Sequence, residues 1–219
     1  MIKKIRLDAA AIPEQLKERP QWVNWKKELR NGKETKVPYQ SNGQKARPND
    51  LDTWADFGTC LTAFENGADF DGIGFVFNHD FDGIDCDDCV DLVTGEITDP
   101  MVARFVRRCN SYAEYSQSGR GLHIFIKGCI PGSRRRKGNV EIYDSDRFFC
   151  VTGKQFPGTP HTINTNQDAL DELYAEVFGK EVTNSKDKSK IVNENPDKIL
   201  DAFLPVLCRF GLYIGLIFR

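Results

Sequence analysis

The chain has 219 residues, 40% of them hydrophobic and 28% charged, which excludes a collagen-like, a highly charged disordered and a polytopic membrane protein. Its length accommodates one large domain, or one domain and a fragment, with a core that needs no disulfide staples. The net charge of −2 conceals a segregation: residues 1–47 carry +7, residues 69–99 hold ten acidic side chains and no Lys or Arg, and residues 104–154 return to +7. An acidic block between two basic ones suits a cation site inside a surface for polyanions, with ordinary surface charge as the alternative. Seven cysteines, an odd number, with no leader ahead of Ile2-Lys3-Lys4-Ile5-Arg6, point to a reducing cytoplasm and to no membrane attachment.

Residues 12–20 read as a short helix opened by Pro13, and Gln21 to Leu29 as a strand. Asn31-Gly32 is a two-residue hairpin signal, with Glu34 to Gln40 as the returning strand. Apolar residues at Leu51, Trp54, Ala55, Phe57, Leu61 and Phe64 have helical spacing. Residues 72–77 and 83–88 then read as a hairpin around a His79–Asp82 turn. Asp99-Pro100 opens a helix to about Asn110, an N-cap acid followed by proline at the first helical position. Strands are expected at 112–116 and 122–127, a basic loop at 133–138, two further strands at 140–143 and 148–152, and an amphipathic helix at 166–178. Residues 180–198 read as a polar linker. Residues 199–219 read as a truncated or atypical end, because its apolar run is too short for a bilayer span and is interrupted by Arg209.

Three constellations carry candidate chemistry. In Asp85-Cys86-Asp87, strand alternation puts both carboxylates on one face, where they repel unless a hard divalent cation such as Mg²⁺ or Mn²⁺ lies between them. A solvated acidic strand is the alternative. An EF-hand register fails, since glycine falls fourth at Gly83 rather than sixth. Cys86-x-x-Cys89 has no second pair and sits among acids, so a redox or zinc role is set aside. In Ser116-Gln-Ser-Gly-Arg-Gly-Leu-His123, backbone N–H groups around Gly119, Ser118 and Arg120 are donors suited to phosphate, and His123 is placed to hydrogen-bond a triphosphate; a plain glycine turn reads equally well. Glu141 interrupts the apolar strand Val140–Tyr143, either facing solvent or supplying a third carboxylate. Arg147 faces phosphate or pairs with Asp144 or Asp146.

Taken in order, an Asp-x-Asp strand, a helix, Ser-x-Ser-Gly-x-Gly-x-His, a basic loop and a strand glutamate resemble the primase–polymerase branch of the archaeo-eukaryotic primase superfamily, of the phage and plasmid type. Arg19–Trp25, Lys36-Val-Pro-Tyr39, Gly72–Val76 and Phe148–Gly153 extend the resemblance over roughly residues 12–160. The resemblance implies an α+β fold: an RRM-like, palm-like primase core with an additional N-terminal αβ unit, occupying residues 1–179. It implies Asp85, Asp87 and Glu141 as ligands of Mg²⁺ or Mn²⁺. It also implies His123 as a catalytic-site residue that joins Ser118, Gly119, Arg120 and Arg147 at the nucleotide. Lys36 is a phosphate contact on the same ground, and Arg134, Arg135, Arg136 and Lys137 would follow a nucleic-acid backbone. The implied activity is template-directed nucleotidyl transfer in phage or plasmid replication. Its partners would be a DNA template and primer, nucleoside triphosphates and a replicative helicase. Two rivals stand beside it: a non-catalytic, or truncated and inactive, RRM-like nucleic-acid-binding module, and a nucleotidyl cyclase that needs no template.

Overall fold

The computed structural model describes residues 7–67 and 69–179. The expected linker at 180–198 and the segment 199–219 lie outside the described residues. The architecture is α+β. Seven strands form one sheet in which every strand pairing is antiparallel, with helices against both faces.

The N-terminal third begins with a short helix, α1 (Glu14–Lys17), much briefer than the expected 12–20, because Pro13 starts it and Glu18 already caps it. β1 (Trp22–Arg30) and β2 (Lys33–Tyr39) form the expected hairpin, with Asn31 and Gly32 both at positive φ. Both strand tryptophans are core residues: Trp22 Nε1 donates to the Leu16 carbonyl at 3.0 Å and Trp25 Nε1 to Ile73 at 3.1 Å. The helix expected from Leu51 starts later. Leu51–Thr53 is a single 3₁₀ turn, Ala55 pairs with Trp22, and Asp56 caps α2 (Phe57–Glu65) by accepting from Thr59 N at 2.9 Å. A side-chain cap outweighs continuous helical spacing here, because the first N–H groups of a helix need acceptors.

The centre of the sheet departs most from expectation. Residues 72–77 and 83–86 do not fold back on each other; they are one strand, β3 (Gly72–Cys86). The strands expected at 140–143 and 148–152 are likewise one strand, β7 (Val140–Val151). The two run antiparallel along their full length. Ile73–Val76 pairs with Phe148–Val151, and Gly83–Cys86 with Val140–Tyr143. Between these ladders the register slips at Asn78↔Ser145, and residues 79–82 bulge out opposite the single residue 144. His79 and Asp146 take positive φ in the bulges. The polar residues that read as turn signals therefore mark facing β-bulges, which add residues without breaking the pairing.

The opposite edge of β3 is shared. β1 pairs with Gly72–Phe75, and β5 (Leu122–Ile126) pairs with Asp82–Cys86. β4 (Ala113–Tyr115) lies outside β5, and the two-residue β6 (Arg136–Lys137) lies outside β7. Helix α3 (Pro100–Cys109) has the expected cap, with Asp99 Oδ1 accepting from Met101 N at 2.8 Å. It packs beside α4 (Gln167–Phe178), with Arg104–Glu176 and Arg108–Glu172 ion pairs along the seam. Together they cover Ile84, Cys86, Leu122, Ile124, Val140 and Ile142 on one face. Phe75, Phe77, Phe125 and Phe149 fill the other face with Trp22 and residues of α1 and α2. Among the described residues no helix is long and apolar enough to cross a membrane. The six described cysteines are free thiols, Cys86 and Cys89 among them, and burial pushes Cys89 up to about 12.

Gly83 restarts the ladder after the bulge with aromatic rings pressed against it: a Cβ there would lie 2.2 Å from Phe77 Cζ and 2.6 Å from Phe149 Cε2. Gly83→Ala is expected to destabilise the protein by about 1–3 kcal/mol, the usual range for overpacking. Urea unfolding should show a lower midpoint at unchanged slope.

Candidate active site

Four ionisable side chains form a row across the sheet. Asp85 on β3 is directly opposite Glu141 on β7 and, at its other edge, His123 on β5. His123 is in turn opposite Glu114 on β4. Residues directly opposite on antiparallel strands project from the same face. Alternation explains why the row coexists with an apolar core: the neighbours Ile84, Cys86, Leu122, Ile124, Val140 and Ile142 all point the other way, into α3 and α4.

The row opens into a cavity of about 310 Å³ lined by Asp85, His123 and Glu141 together with Lys36, Arg136 and Arg147, and floored by Tyr143, Phe148, Phe149 and Cys150. His123 is buried and its ring stacks on Phe149 at 4.6 Å between centroids. Its Nε2 lies 3.8 Å from Asp85 Oδ1, and its Nδ1 lies 3.5 Å from Glu114 Oε1. Glu141 is held from two sides. Tyr143 Oη donates to Oε2 at 2.7 Å, and Arg136 pairs with Oε1 at 3.0 Å. The Arg136 side chain is largely exposed, so that ion pair is cheap to exchange.

Asp87 stands one residue past the end of β3, with its N–H donating to the Asn139 carbonyl at 2.8 Å, so the pairing with the β7 side continues to it. It is exposed, and its negative charge is felt at Asp85. Burial raises the Asp85 carboxyl above its ordinary range, the charges of Asp87 and Glu141 push the same way, and His123 and Lys36 oppose them. Asp85 Oδ1 is also buried without a hydrogen-bond partner. A buried carboxylate with two further carboxylate charges near it is chemistry that suits a divalent cation, and Mg²⁺ is bound through one or two carboxylates while waters and substrate phosphates complete its shell. Among the described residues no three carboxylate, imidazole or thiol groups are closed around a common point.

The Ser118–Gly121 turn is less available than its sequence suggests. Gly119 has φ +74°, and Ser118 Oγ accepts from Arg120 N at 3.2 Å while sharing a hydrogen bond with Ser116 Oγ. A Cβ at Gly121 would lie 2.5 Å from the Cys86 carbonyl, so this glycine packs the turn against the end of the Asp85 strand. The Arg120 side chain is paired with Asp88 at 2.7 Å on the surface. The basic run also divides. Arg134 donates to the Phe178 carbonyl at the end of α4, Arg135 faces Asp144 at 3.8 Å, and Arg136 reaches Glu141. Lys137 is exposed on β6. Arg147 lies over the Tyr143 ring at 4.9 Å, within the cavity wall, rather than paired with Asp144 or Asp146.

Sequence reasoning passed over Glu114 and Tyr143. Glu114 alternates with apolar neighbours in Tyr112-Ala-Glu-Tyr115 as any outward strand residue would, and only the register with His123 distinguishes it.

A carboxyl whose folded-state pKa is raised stabilises the fold below its unfolded value and loses that contribution as pH rises through the folded value. At neutral pH the Asp85 charge therefore opposes folding. Asp85→Asn, in EDTA at pH 7.5, is expected to raise unfolding free energy by on the order of 1 kcal/mol. The gain should vanish as pH falls toward about 4, the unfolded carboxyl value; urea titrations across this range check the sign.

No protein-family model matches the chain. The chain is 31% identical over 170 residues to the DNA primase-polymerase of Nitratiruptor phage NrS-1, a match that takes in 73% of this chain and 22% of that protein. The chain thus spans less than a quarter of the length of this curated relative. At that identity and coverage of its own length, the chain belongs to the phage primase–polymerase family.

Proposed function

We propose that residues 1–179 form the catalytic domain of a metal-dependent DNA primase–polymerase, with an RRM-like, palm-like core and an added N-terminal αβ unit. The observation that carries this reading is the in-register row Glu141–Asp85–His123 opening into a basic-walled cavity. The relative's name, DNA primase-polymerase, supports the same activity. The reaction is template-directed nucleotidyl transfer. The 3′-hydroxyl of a primer, or the hydroxyl of an initiating nucleotide, attacks the α-phosphate of a nucleoside triphosphate. A phosphodiester bond forms, the bond to the β-phosphate breaks, and pyrophosphate leaves.

Asp85 and Glu141 would hold Mg²⁺ or Mn²⁺, with Asp87 as the third carboxylate. Bound there, such an ion supplies Lewis-acid activation of the attacking hydroxyl and stabilisation of the leaving oxygen. The protein's own part is positioning. Tyr143 keeps the Glu141 carboxylate aimed along the row through its hydroxyl. Arg136 pairs with Glu141 from an exposed position, so the pair costs little to exchange and its guanidinium could serve a phosphate instead. His123, Lys36 and Arg147 line the wall where a triphosphate would lie, and donors aimed at developing charge supply much of the rate in phosphoryl chemistry. Ser118, Gly119 and Arg120 join the nucleotide site only if Arg120 leaves Asp88, an exposed pair that costs little to break. Lys137 and the β1–β2 hairpin lysines offer contacts to the template backbone.

The exposed aromatic platform of an RRM-like binding module finds little support, because carboxylates occupy the sheet face that would have to meet a phosphate backbone. Two measurements test the reading. Primer extension on a DNA template with Mg²⁺ or Mn²⁺ should be abolished by EDTA and lowered at least on the order of 10²-fold by Asp85→Ala with Asp87→Ala. Equal extension by variant and wild type ends the proposal, and product from nucleotide alone without template favours the cyclase. Mn²⁺ at about 100 times its dissociation constant should stabilise the wild type by roughly 2.7 kcal/mol in thermal or urea unfolding, and Asp85→Asn by far less.

A further inference from the structure

Glu114 is fully buried, and among the described residues its only ion-pair partner is His123. Both of its oxygens already accept hydrogen bonds. Oε1 takes the Thr152 N–H at 3.0 Å, while Oε2 takes the Gly153 N–H at 2.8 Å and the Tyr112 hydroxyl at 2.9 Å. Burial and the Glu114 charge hold the Tyr112 proton on its oxygen, so that hydroxyl remains a donor. The carboxylate is thereby immobilised against the backbone of residues 152–153, beside the histidine. Taking a carboxylate out of water is expensive, and a cation or strong donor beside it is the usual compensation.

The His123 ring is fixed as well. It lies flat on Phe149, and its two nitrogens face opposite carboxylates in the cross-strand row. Nδ1 is buried without a formed hydrogen bond, and Glu114 Oε1 stands 3.5 Å from it, a separation somewhat longer than a hydrogen bond. Contacts of this kind at reactive sites commonly tighten when the ligand arrives. Nε2 faces Asp85 and the cavity.

We propose that Glu114 is a positioning residue for His123: it keeps a proton on Nδ1 and so fixes Nε2 as the ring atom presented to the cavity. This rests on the proposed function only in naming the nucleotide phosphates as what Nε2 meets. Glu114 touches neither nucleotide nor metal in this arrangement and acts through the ring alone. The three hydrogen bonds to Thr152, Gly153 and Tyr112 explain why the carboxylate is rigid. The register with His123 explains what it is rigid for.

The test is ¹⁵N NMR of the full chain labelled at histidine, at pH 8, with the His123 signals assigned by their loss in His123→Gln. Three histidines make the spectrum tractable. The wild type is expected to carry its proton on Nδ1, whether or not Nε2 is also protonated; a ring protonated on Nε2 alone overturns the proposal. Glu114→Gln, checked for folding by its amide spectrum, should shift the ratio of the two neutral tautomers toward Nε2–H by on the order of tenfold, the effect of replacing a charged acceptor by a neutral one. An unchanged ratio in a folded variant also overturns it, and if the variant does not fold the wild-type result decides alone. Failure of template-directed synthesis by the wild type would remove the polymerase reading and leave the tautomer result standing.

Discussion

Like charges held side by side in a partly buried place are the constraint on which this structure turns. Asp85 sits between Glu141 and His123 on the sheet, with the charge of Asp87 just beyond, and burial alone already disfavours its ionised form. Hydrogen bonding does not relieve this at Oδ1, which is buried without a partner. The stability that tolerates it comes from the opposite side of the same strands. There Ile84, Ile124 and Ile142, in the same three strands, are sealed beneath α3 and α4. Each such side chain removed from water contributes roughly 1.5–3 kcal/mol. One face of the sheet is thus wholly apolar at this end, while the other sets the charged row beside the aromatic core of Phe75, Phe77, Phe125 and Phe149. Period-two alternation lets adjacent residues serve both faces.

What the charged face lacks is positive charge that is firmly placed. Arg136 is the nearest candidate, and it is exposed and paired to Glu141 at the edge of the row. Lys36 and Arg147 stand in the cavity wall rather than on the carboxylates. A pocket with fixed acids and movable bases is suited to receive a cation and a polyanion together, since each arriving charge finds the opposite sign already present. This complementarity joins the geometry to nucleotidyl transfer more directly than any single residue does.

Much of this was legible in the sequence, and the parts that were not share a cause. Asp85-x-Asp87, Asn31-Gly32, Asp99-Pro100 and the Asn166 helix start act within a few residues, where sequence spacing and space coincide. The continuity of β3 and β7 was hidden because Asp and His residues at 79–82 and 144–146 look like turns, and only a partner strand distant in the chain converts them into bulges. The two glycines of the Ser118–Gly121 turn looked available to a ligand, yet Gly121 is needed against the Cys86 carbonyl. Arg134 looked like one of four equivalent cations, yet it is bound to the last carbonyl of α4. Glu114 was invisible because its meaning lies entirely in a register that sequence does not state.

The facing bulges also have a mechanical meaning. Residues 73–76 and 83–86 pair with β7 through separate runs of hydrogen bonds, and the six residues between them face four. The intervening segment works as an expansion joint. It takes up the difference in residue number between the two strands and leaves the alignment of Asp85 with Glu141 to its own stretch of ladder. The carboxylate row thus takes its setting from the 83–86 ladder, apart from the ladder that carries the β1–β2 hairpin.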